Sequence, residues 1–250
     1  MHLTLRKFHL LILSTFPLIG QAQELSIGNI AIDITKSGDI HSADIKGSVH
    51  FDADSKTLTL ENAVIQNADI RNLQVDWLSI RIKGKNHIAN KTGALFLLRP
   101  TKIIGDGTLT TSCDSEYSDL YNESSVLIED CTIMVGAFRG VFSSFLEIRN
   151  ASVSSQRGIF FHSGLALKNC AIVEPKGGVY DGVEHAISLN GWFYKRKVRI
   201  DRTIQMGIDH TEDIETPKRY YDIQGRLLFK PQRGIHLIQH PNGQVEKIIR

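Results

Sequence analysis

The hydrophobic positions of this chain fall into short units that recur about every 20 residues. Three of them read VLIEDCTI (126–133), LEIRNASV (146–153) and LALKNCAI (165–172). Each unit has two apolar residues two positions apart, which predicts a β-strand. Asp or Asn follows, then a small residue and a further apolar side chain. Asp and Asn tolerate the left-handed backbone conformation, so each unit is predicted to run strand, sharp corner, strand.

Three further stretches extend the repeat towards the N-terminus. They are LTLENAVI (58–65), IKGKNHI (82–88) and IIGDGTL (103–109), the last two aligned with each other from Ile82 and Ile103. The six units predict an all-β fold, a single-stranded parallel β-helix with one coil per unit, in which no coil can bury its apolar face alone. A leucine-rich repeat lacks support because its consensus frame is missing. An antiparallel sandwich explains the strands but not the recurring corner and small residue.

Further candidate coils lie at the two ends, at 27–34 and at 185–189. Glycines at 84, 105 and 107 are expected to bend the chain where Asp or Asn is missing. The stretch 183–201 is interpreted as the closing coil and a cap, with Trp192, Phe193 and Tyr194 covering the open end.

The repeat also predicts the state of the cysteines. Cys131 and Cys170 share one internal column with Ala151 between them. They should then lie two coils apart, about 9–10 Å, which is too far for a disulfide. Both are interpreted as small core side chains. Cys113 is expected to be exposed in a polar loop, and Trp77 falls within a strand pattern typical of the core.

The two ends of the chain have different compositions from the repeat. Residues 1–22 combine Arg6 and Lys7, an apolar run at 10–20 and a small residue at Ala22, which is typical of a cleaved secretory signal peptide. A membrane anchor is the alternative, but the run is short for about 30 Å of hydrocarbon, so no membrane span is expected after cleavage.

Beyond the predicted signal peptide, the chain divides into three segments. The β-helix domain is assigned to residues 23–204, an acidic linker to 205–217, and a small C-terminal β meander to 218–250. The last segment contains three short β patterns separated by turn signals such as Asn242-Gly243. About 30 residues are too few to build a strong core alone.

Composition narrows the functional classes. The formal net charge of the 250 residues is +2, which argues against a nucleic-acid binder with a clustered basic face. The hydrophobic fraction of 42% is that of a globular protein. Ten histidines are scattered without zinc-ligand spacing. No nucleophile motif or phosphate-binding glycine loop is found in the sequence.

Carboxylates are the main candidates for metal binding or catalysis. Asp39, Asp44, Asp52 and Asp54 could supply oxygen ligands to calcium, and a solvated turn between strands is the alternative. The group at 114–119, with Asp114, Glu116 and Asp119, has the same two interpretations. No cofactor is therefore predicted, with calcium kept as an alternative.

Exposed aromatic rings are the candidates for binding. Sugar rings stack on aromatic faces while polar neighbours orient them. Trp192, Tyr194, Tyr117 and Tyr121 are the predicted stacking residues.

Two resemblances follow from these residues. The tail, with Tyr221-Asp222, Gly225-Arg226, Pro231 and Gly234-Ile235, resembles the C-terminal sorting module of the type IX secretion system of Bacteroidetes, although the earlier strand region near a P-N-P motif is missing. The resemblance implies recognition by that secretion machinery. The protein would then be secreted, or displayed on the outer surface of a Gram-negative cell, after passage through the periplasm.

The repeat units resemble secreted right-handed parallel β-helix proteins of the pectate-lyase-like superfamily, in particular the carbohydrate-binding group. The resemblance rests on the motifs LTLENAVI and IIGDGTL and on the units with Asp or Asn before Cys or Ala. The resemblance implies a non-catalytic protein that binds polysaccharide or another surface. A calcium-dependent polysaccharide lyase and a purely adhesive repeat are the alternatives. Of the catalytic motifs of β-helix hydrolases, the sequence contains only Arg81-Ile82-Lys83.

Overall fold

The computed structural model describes residues 24–113 and 119–203, and the backbone of short strands between 219 and 249. The predicted signal peptide and Tyr117 lie outside the described residues, as do Asp114 and Glu116. Contacts divide the chain into two compact units, residues 1–204 and 205–250. All regular structure in the described part of the chain is β.

The described residues of the first unit form 24 strands. They are β1 (Leu25–Ile27), β2 (Ile30–Ala31), β3 (Gly38–Asp39), β4 (Ile45–Asp52), β5 (Thr57–Gln66), β6 (Ile70–Asn72), β7 (Leu78–Lys83), β8 (Lys85–Asn90), β9 (Leu95–Leu97), β10 (Thr101–Gly105), β11 (Thr108–Cys113), β12 (Leu120–Asn122), β13 (Ser125–Glu129), β14 (Thr132–Val135), β15 (Phe138–Gly140), β16 (Phe145–Arg149), β17 (Ser152–Ser155), β18 (Ile159–Phe160), β19 (Gly164–Lys168), β20 (Cys170–Glu174), β21 (Val179–Asp181), β22 (Ala186–Leu189), β23 (Trp192–Phe193) and β24 (Val198–Arg202).

These strands wind into a parallel β-solenoid of about 5 turns, which confirms the predicted fold class. Three faces can be followed through the strand pairings. The first face contains the first half of β5, then β7, β10, β13, β16 and β19. The second contains the other half of β5, then β8, β11, β14 and β17. The third contains the short strands β6, β9, β12, β15 and β18.

Residues with a left-handed backbone form the corner between the first and second faces. The φ angles of Asn62, Asp130, Asn150 and Asn169 are 50°, 61°, 42° and 54°, so the predicted corner is confirmed. Gly84 takes the same role with φ 64°, and a Cβ there would collide with the side chain of Asn62.

Like residues stack through the interior, as predicted. Ile128 pairs with Ile148, and both are fully buried. Cys131 and Ala151 are also fully buried at neighbouring corners. Cys170 is half-buried against the same core. All three cysteines are free thiols, as the column argument requires.

The predicted alignment of the two upstream units is wrong by two residues. Ile103 pairs with Ile80, not with Ile82, and Leu109 pairs with Asn86. The hydrophobic pattern does not show this register because a polar residue, Asn86, occupies an interior position. The Asn86 side chain is buried, and its Oδ1 accepts a hydrogen bond from the backbone N–H of Ala63 at 2.8 Å.

The candidate coils at the two ends are antiparallel closing strands instead. At the N-terminal end, β4 runs antiparallel to β5, and β1 runs antiparallel to β6. At the other end, β22 (from the 185–189 stretch) pairs antiparallel with β18. Strand β24 enters between β17 and β20, so the sixth unit does not complete a turn. Such strands occupy sheet edges that would otherwise be open to association.

Two side chains lie elsewhere than predicted. Trp77 is 54% exposed in the turn before β7, because Val75 and Leu78 fill the interior on either side of it. Cys113 ends β11 and is half-buried rather than exposed. Burial, together with the nearby Asp119 carboxylate, raises the pKa of the Cys113 thiol to about 12, so this thiol stays protonated at neutral pH.

The second unit contains four described strands, β25 (Arg219–Tyr221), β26 (Leu227–Leu228), β27 (Ile235–Gln239) and β28 (Val245–Ile249). They form an antiparallel sheet. Its order is β26-β25-β27-β28. Because β25 lies between β26 and β27, the order differs from that of the simple meander expected from the sequence.

Candidate functional site

One outward-facing column on the third face consists of flat side chains. Parallel pairing places one of them on each successive coil. The second residue of each short strand points outwards because the residue before it is buried. The column spans about 19 Å, four steps of about 4.8 Å. Its members, called the planar column below, are Arg71, Phe96, Tyr121, Arg139 and Phe160.

The first three groups of the planar column contact one another in order along it. The guanidinium carbon of Arg71 lies 5.3 Å from the ring centroid of Phe96. The rings of Phe96 and Tyr121 have centroids 6.2 Å apart at an interplanar angle of 44°. At the other end, the centroid of the Phe160 ring lies 6.3 Å from that of Phe193. The planar column is therefore a strip of half-exposed rings and exposed guanidinium groups whose N-terminal members contact one another.

Hydrogen bonds and charges fix the middle of the strip. The Tyr121 hydroxyl donates to Oε1 of Glu123 at 2.7 Å. Burial and this hydrogen bond raise the pKa of Tyr121 to about 12, while the nearby Arg139 charge opposes the rise. The phenol is therefore neutral at pH 7, and the exposed Arg139 provides the positive charge beside it.

A buried carboxylate fixes the N-terminal end of the strip. Nε and Nη2 of Arg71 both donate to Oδ2 of Asp69, at 3.0 and 2.8 Å. The Asp69 side chain is only 3% exposed, and that of Arg71 is 48% exposed. The hydrogen bond to Asp69 raises the pKa of Arg71. The pair holds the guanidinium plane in place over Phe96.

A polar cleft of about 460 Å³ opens beside Arg71, where the second face meets the third. Ser26, which pairs with Arg71 across β1 and β6, also lines it. The other lining groups are mostly amides and hydroxyls, including Asn67, Asn90 and Thr92. A neighbouring cleft of about 320 Å³ shares Asn67 and Asn90 with it. Polar side-chain types thus gather at one end of the planar column.

The structure brings one of the predicted stacking residues into this site. Tyr121 is the central ring of the planar column. Trp192 is 78% exposed on β23, so its side chain does not cover the solenoid end, although its strand pairs with β22. Tyr194 is half-buried against the core. No ring contact joins Trp192 or Tyr194 to Tyr121 among the described residues.

Sequence reasoning missed the other four members of the planar column. Their signal is a three-residue pattern, with Ile70, Leu95, Leu120, Phe138 and Ile159 each preceding an outward residue. The spacing of this pattern varies because the loops before it differ in length, and two of the outward residues are arginines. A search for aromatic residues alone does not find the two arginines, and it does not show that Phe96 and Phe160 share a column with Tyr121.

The carboxylates considered for calcium have local partners. Nδ1 of His50 lies 2.7 Å from Oδ1 of Asp39. The backbone N–H of Ser55 donates to Asp52 and lowers the pKa of that carboxyl group. Asp119 is buried and accepts a hydrogen bond from the Thr111 hydroxyl at 2.7 Å. In residues 24–113 and 119–203, no three His, Cys, Asp or Glu side chains are grouped so that they could hold a metal ion.

Comparison of the chain with protein-family models, with curated proteins and with solved structures found no match. The fold class therefore rests on strand register within this chain. In the described part of the chain, no helix has the length and apolar character needed to cross a membrane.

Proposed function

We propose that this is an exported, non-catalytic β-solenoid protein that binds polysaccharide along its third face. The single observation that carries the proposal is the planar column, with five flat side chains on five successive coils. A polysaccharide is itself a linear repeat of rings, so a linear repeat of flat groups matches it along its length.

The chemistry of the column suits sugar rings. The C–H groups of a pyranose present a weakly polar face that packs on aromatic rings, while its hydroxyls need hydrogen-bonding partners nearby. Phe96 and Tyr121 supply adjacent ring faces. Glu123 and Arg139 border them and can orient hydroxyls. Because neighbouring coils fix these groups, little conformational entropy is lost on binding.

The proposal includes export. It is supported by the sequence pattern of residues 1–22 and by the resemblance of residues 218–250 to a sorting module. Expression of the full chain in a Gram-negative host, followed by fractionation and intact-mass measurement, tests the first part. The expected product lies outside the cytoplasm and begins after Ala22. A cytoplasmic product that retains residues 1–22 contradicts export.

The binding test uses a panel of immobilised neutral and acidic polysaccharides, with and without calcium. The decisive variant is Phe96→Leu, which keeps apolar volume but removes the flat ring. We expect it to weaken retention about tenfold, equivalent to about 1.4 kcal/mol. The matched control is Trp77→Ala, which removes a larger exposed ring from outside the column.

Three results contradict the proposal. Equal retention of the wild type and Phe96→Leu shows that the column is not the site. Release of unsaturated uronate products, detected by their absorbance, shows a lyase instead. Failure of the wild type to bind any polysaccharide leaves the adhesive alternative. Circular dichroism of each variant confirms that a lost signal is not caused by unfolding.

A further inference from the structure

The two arginines of the planar column differ in how their charges are balanced. Arg71 donates two hydrogen bonds to the buried Asp69 carboxylate, which neutralises its charge. Arg139 is exposed and has no ion-pair or hydrogen-bond partner among the described residues. Strand pairing places it between Tyr121 on the preceding coil and Phe160 on the following coil. An uncompensated cation therefore lies between two half-buried rings of the column.

A second uncompensated cation lies at the C-terminal end of the column. The rings of Phe160 and Phe193 have centroids 6.3 Å apart, and Nζ of Lys195 lies 5.8 Å from the centroid of the Phe193 ring. Lys195 is exposed, and in the described part of the chain no carboxylate forms an ion pair with it. This half of the column therefore presents aromatic rings bordered by a guanidinium and an ammonium group.

Two carboxylates near these rings have other partners. Oε1 of Glu123 accepts the hydrogen bond of the Tyr121 hydroxyl at 2.7 Å. Asp181 lies two strands away from Phe160, where its Oδ1 accepts from two backbone N–H groups of the following turn, at 2.8 and 3.2 Å. Neither carboxylate forms an ion pair with the two cations described above, so the guanidinium and the ammonium group are left to a ligand.

This distribution of charge favours an acidic sugar over a neutral one. A polysaccharide that stacks on both Tyr121 and Phe160 must pass over the exposed guanidinium of Arg139 between them. A guanidinium group can form two parallel, charge-assisted hydrogen bonds with a carboxylate or with a sulfate group, and such bonds are about twice as strong as those between neutral groups. Sugar hydroxyls supply neither the opposite charge nor the matching planar geometry.

We propose that the C-terminal half of the planar column is a subsite for an acidic sugar, which stacks on Phe160 while its carboxylate or sulfate group binds Arg139. Lys195 adds positive charge at the end of this subsite. The inference rests on the proposed function and deepens it, because it names the class of polysaccharide that the third face binds.

The test compares polysaccharides that differ in charge but share a backbone. Biolayer interferometry with the full chain compares alginate, a uronan, with its carboxyl-reduced product, and dextran sulfate with dextran. We expect the wild type to bind an acidic polymer about tenfold more tightly than its neutral counterpart, the effect of one charge-assisted contact. Preference for alginate identifies a carboxylate ligand, and preference for dextran sulfate alone identifies a sulfate ester.

Three variants locate the charge that is responsible. Arg139→Gln should weaken binding of the preferred acidic polymer about tenfold and leave binding of the neutral counterpart unchanged. Lys195→Gln should weaken binding of the acidic polymer about threefold, as for an exposed ion pair. Arg81→Gln is the matched control and should bind like the wild type, since Arg81 is an exposed arginine on the first face without an ion-pair partner among the described residues.

Two results overturn the inference. Equal affinity of the wild type for both members of each pair of polymers shows that the acid group is not recognised. An equal loss of binding in Arg139→Gln and Arg81→Gln shows that general attraction to positive charge, and not a subsite, holds the acidic polymer. Circular dichroism of each variant confirms that the fold is retained.

Failure of this inference and of the proposed function can be told apart. If polysaccharides are retained and Phe96→Leu weakens retention, but charge makes no difference, only the subsite fails. If acidic polymers bind in a way that depends on Arg139 but is unchanged in Phe96→Leu, the proposed function fails for the column as a whole and the subsite stands. If no polymer binds, both fail.

Discussion

The side chain of Asn150 connects its corner to the corner of the preceding coil, because its Nδ2 donates to Oδ1 of Asp130 at 2.6 Å. Both residues have left-handed backbones. Asn62 makes a similar link, with its Oδ1 accepting from the backbone N–H of Lys85 at 3.1 Å. The corner residues therefore both turn the chain and join neighbouring coils.

Substitution of Asn150 separates these two roles. Asn150→Gly loses the hydrogen bond to Asp130 but accepts the left-handed backbone. Asn150→Val loses the same bond and adds steric strain, since left-handed geometry costs an L-residue about 1–2 kcal/mol. We expect the free energy of unfolding, measured by urea denaturation, to be lower for Val than for Gly by about that amount. Equal stabilities would contradict a left-handed corner at this position.

Glu147 predicts a dependence of stability on pH. On the first face its Oε1 lies 2.9 Å from Nε of Arg149 and 2.9 Å from Nζ of Lys168. Arg149, and then Lys168, hold the pKa of Glu147 below its ordinary value of 4.5. The ion pairs therefore stabilise the fold above pH 4.5. This contribution is lost as the pH falls through the lowered pKa of the folded state.

The variant Glu147→Gln isolates that contribution from other titrating groups. At pH 7 it should be less stable than the wild type by about 0.5–1 kcal/mol, as for partly exposed ion pairs. Below the folded-state pKa the two proteins should have equal stability, as measured by urea unfolding at several pH values. A difference that persists unchanged at acidic pH would mean that the carboxylate charge is not its cause.

The two tryptophans provide a spectroscopic check of the surface. Trp77 and Trp192 are 54% and 78% exposed. We expect native fluorescence emission close to that of a solvated tryptophan derivative, strong quenching by acrylamide and only a small shift on unfolding. Trp77→Phe should remove part of the quenchable signal without a measurable loss of stability. Blue-shifted, quencher-resistant emission would instead show that Trp77 is buried in the core, as the sequence pattern predicts.

The sequence predicted the corners and the coils that carry them because their chemistry is local. Asn150 and Asn169 each follow a strand and precede a small residue, so both backbone and side-chain preferences indicate the same turn. The register between strands was harder to predict from the sequence. Asn86 can occupy an interior column because its side chain accepts a hydrogen bond from the backbone N–H of Ala63. A partner so far away in the sequence cannot be recognised from the hydrophobic periodicity.

The candidate site was harder to predict than the fold for a similar reason. Tyr121 was found as an isolated aromatic residue, but its neighbours Phe96 and Arg139 are 25 and 18 positions away. They come together only through pairing of β9, β12 and β15. The strand order at the C-terminal end of the solenoid also could not be predicted. Nothing in the local sequence of 198–202 indicates that this strand inserts antiparallel beside Ile172.

All the proposed surfaces depend on the winding that stacks like positions of successive coils, and an engineered cysteine tests it directly. Sγ of Cys170 lies 3.3 Å from the carbonyl oxygen of Ala151. The variant Ala151→Cys is refolded in a glutathione redox buffer, and disulfides are mapped by mass spectrometry of tryptic peptides without reduction. The winding predicts a bond from the introduced thiol to Cys170 or Cys131, and no bond between Cys131 and Cys170 in the wild type. A Cys131–Cys170 bond in the wild type, or an introduced thiol that pairs with neither, would contradict it.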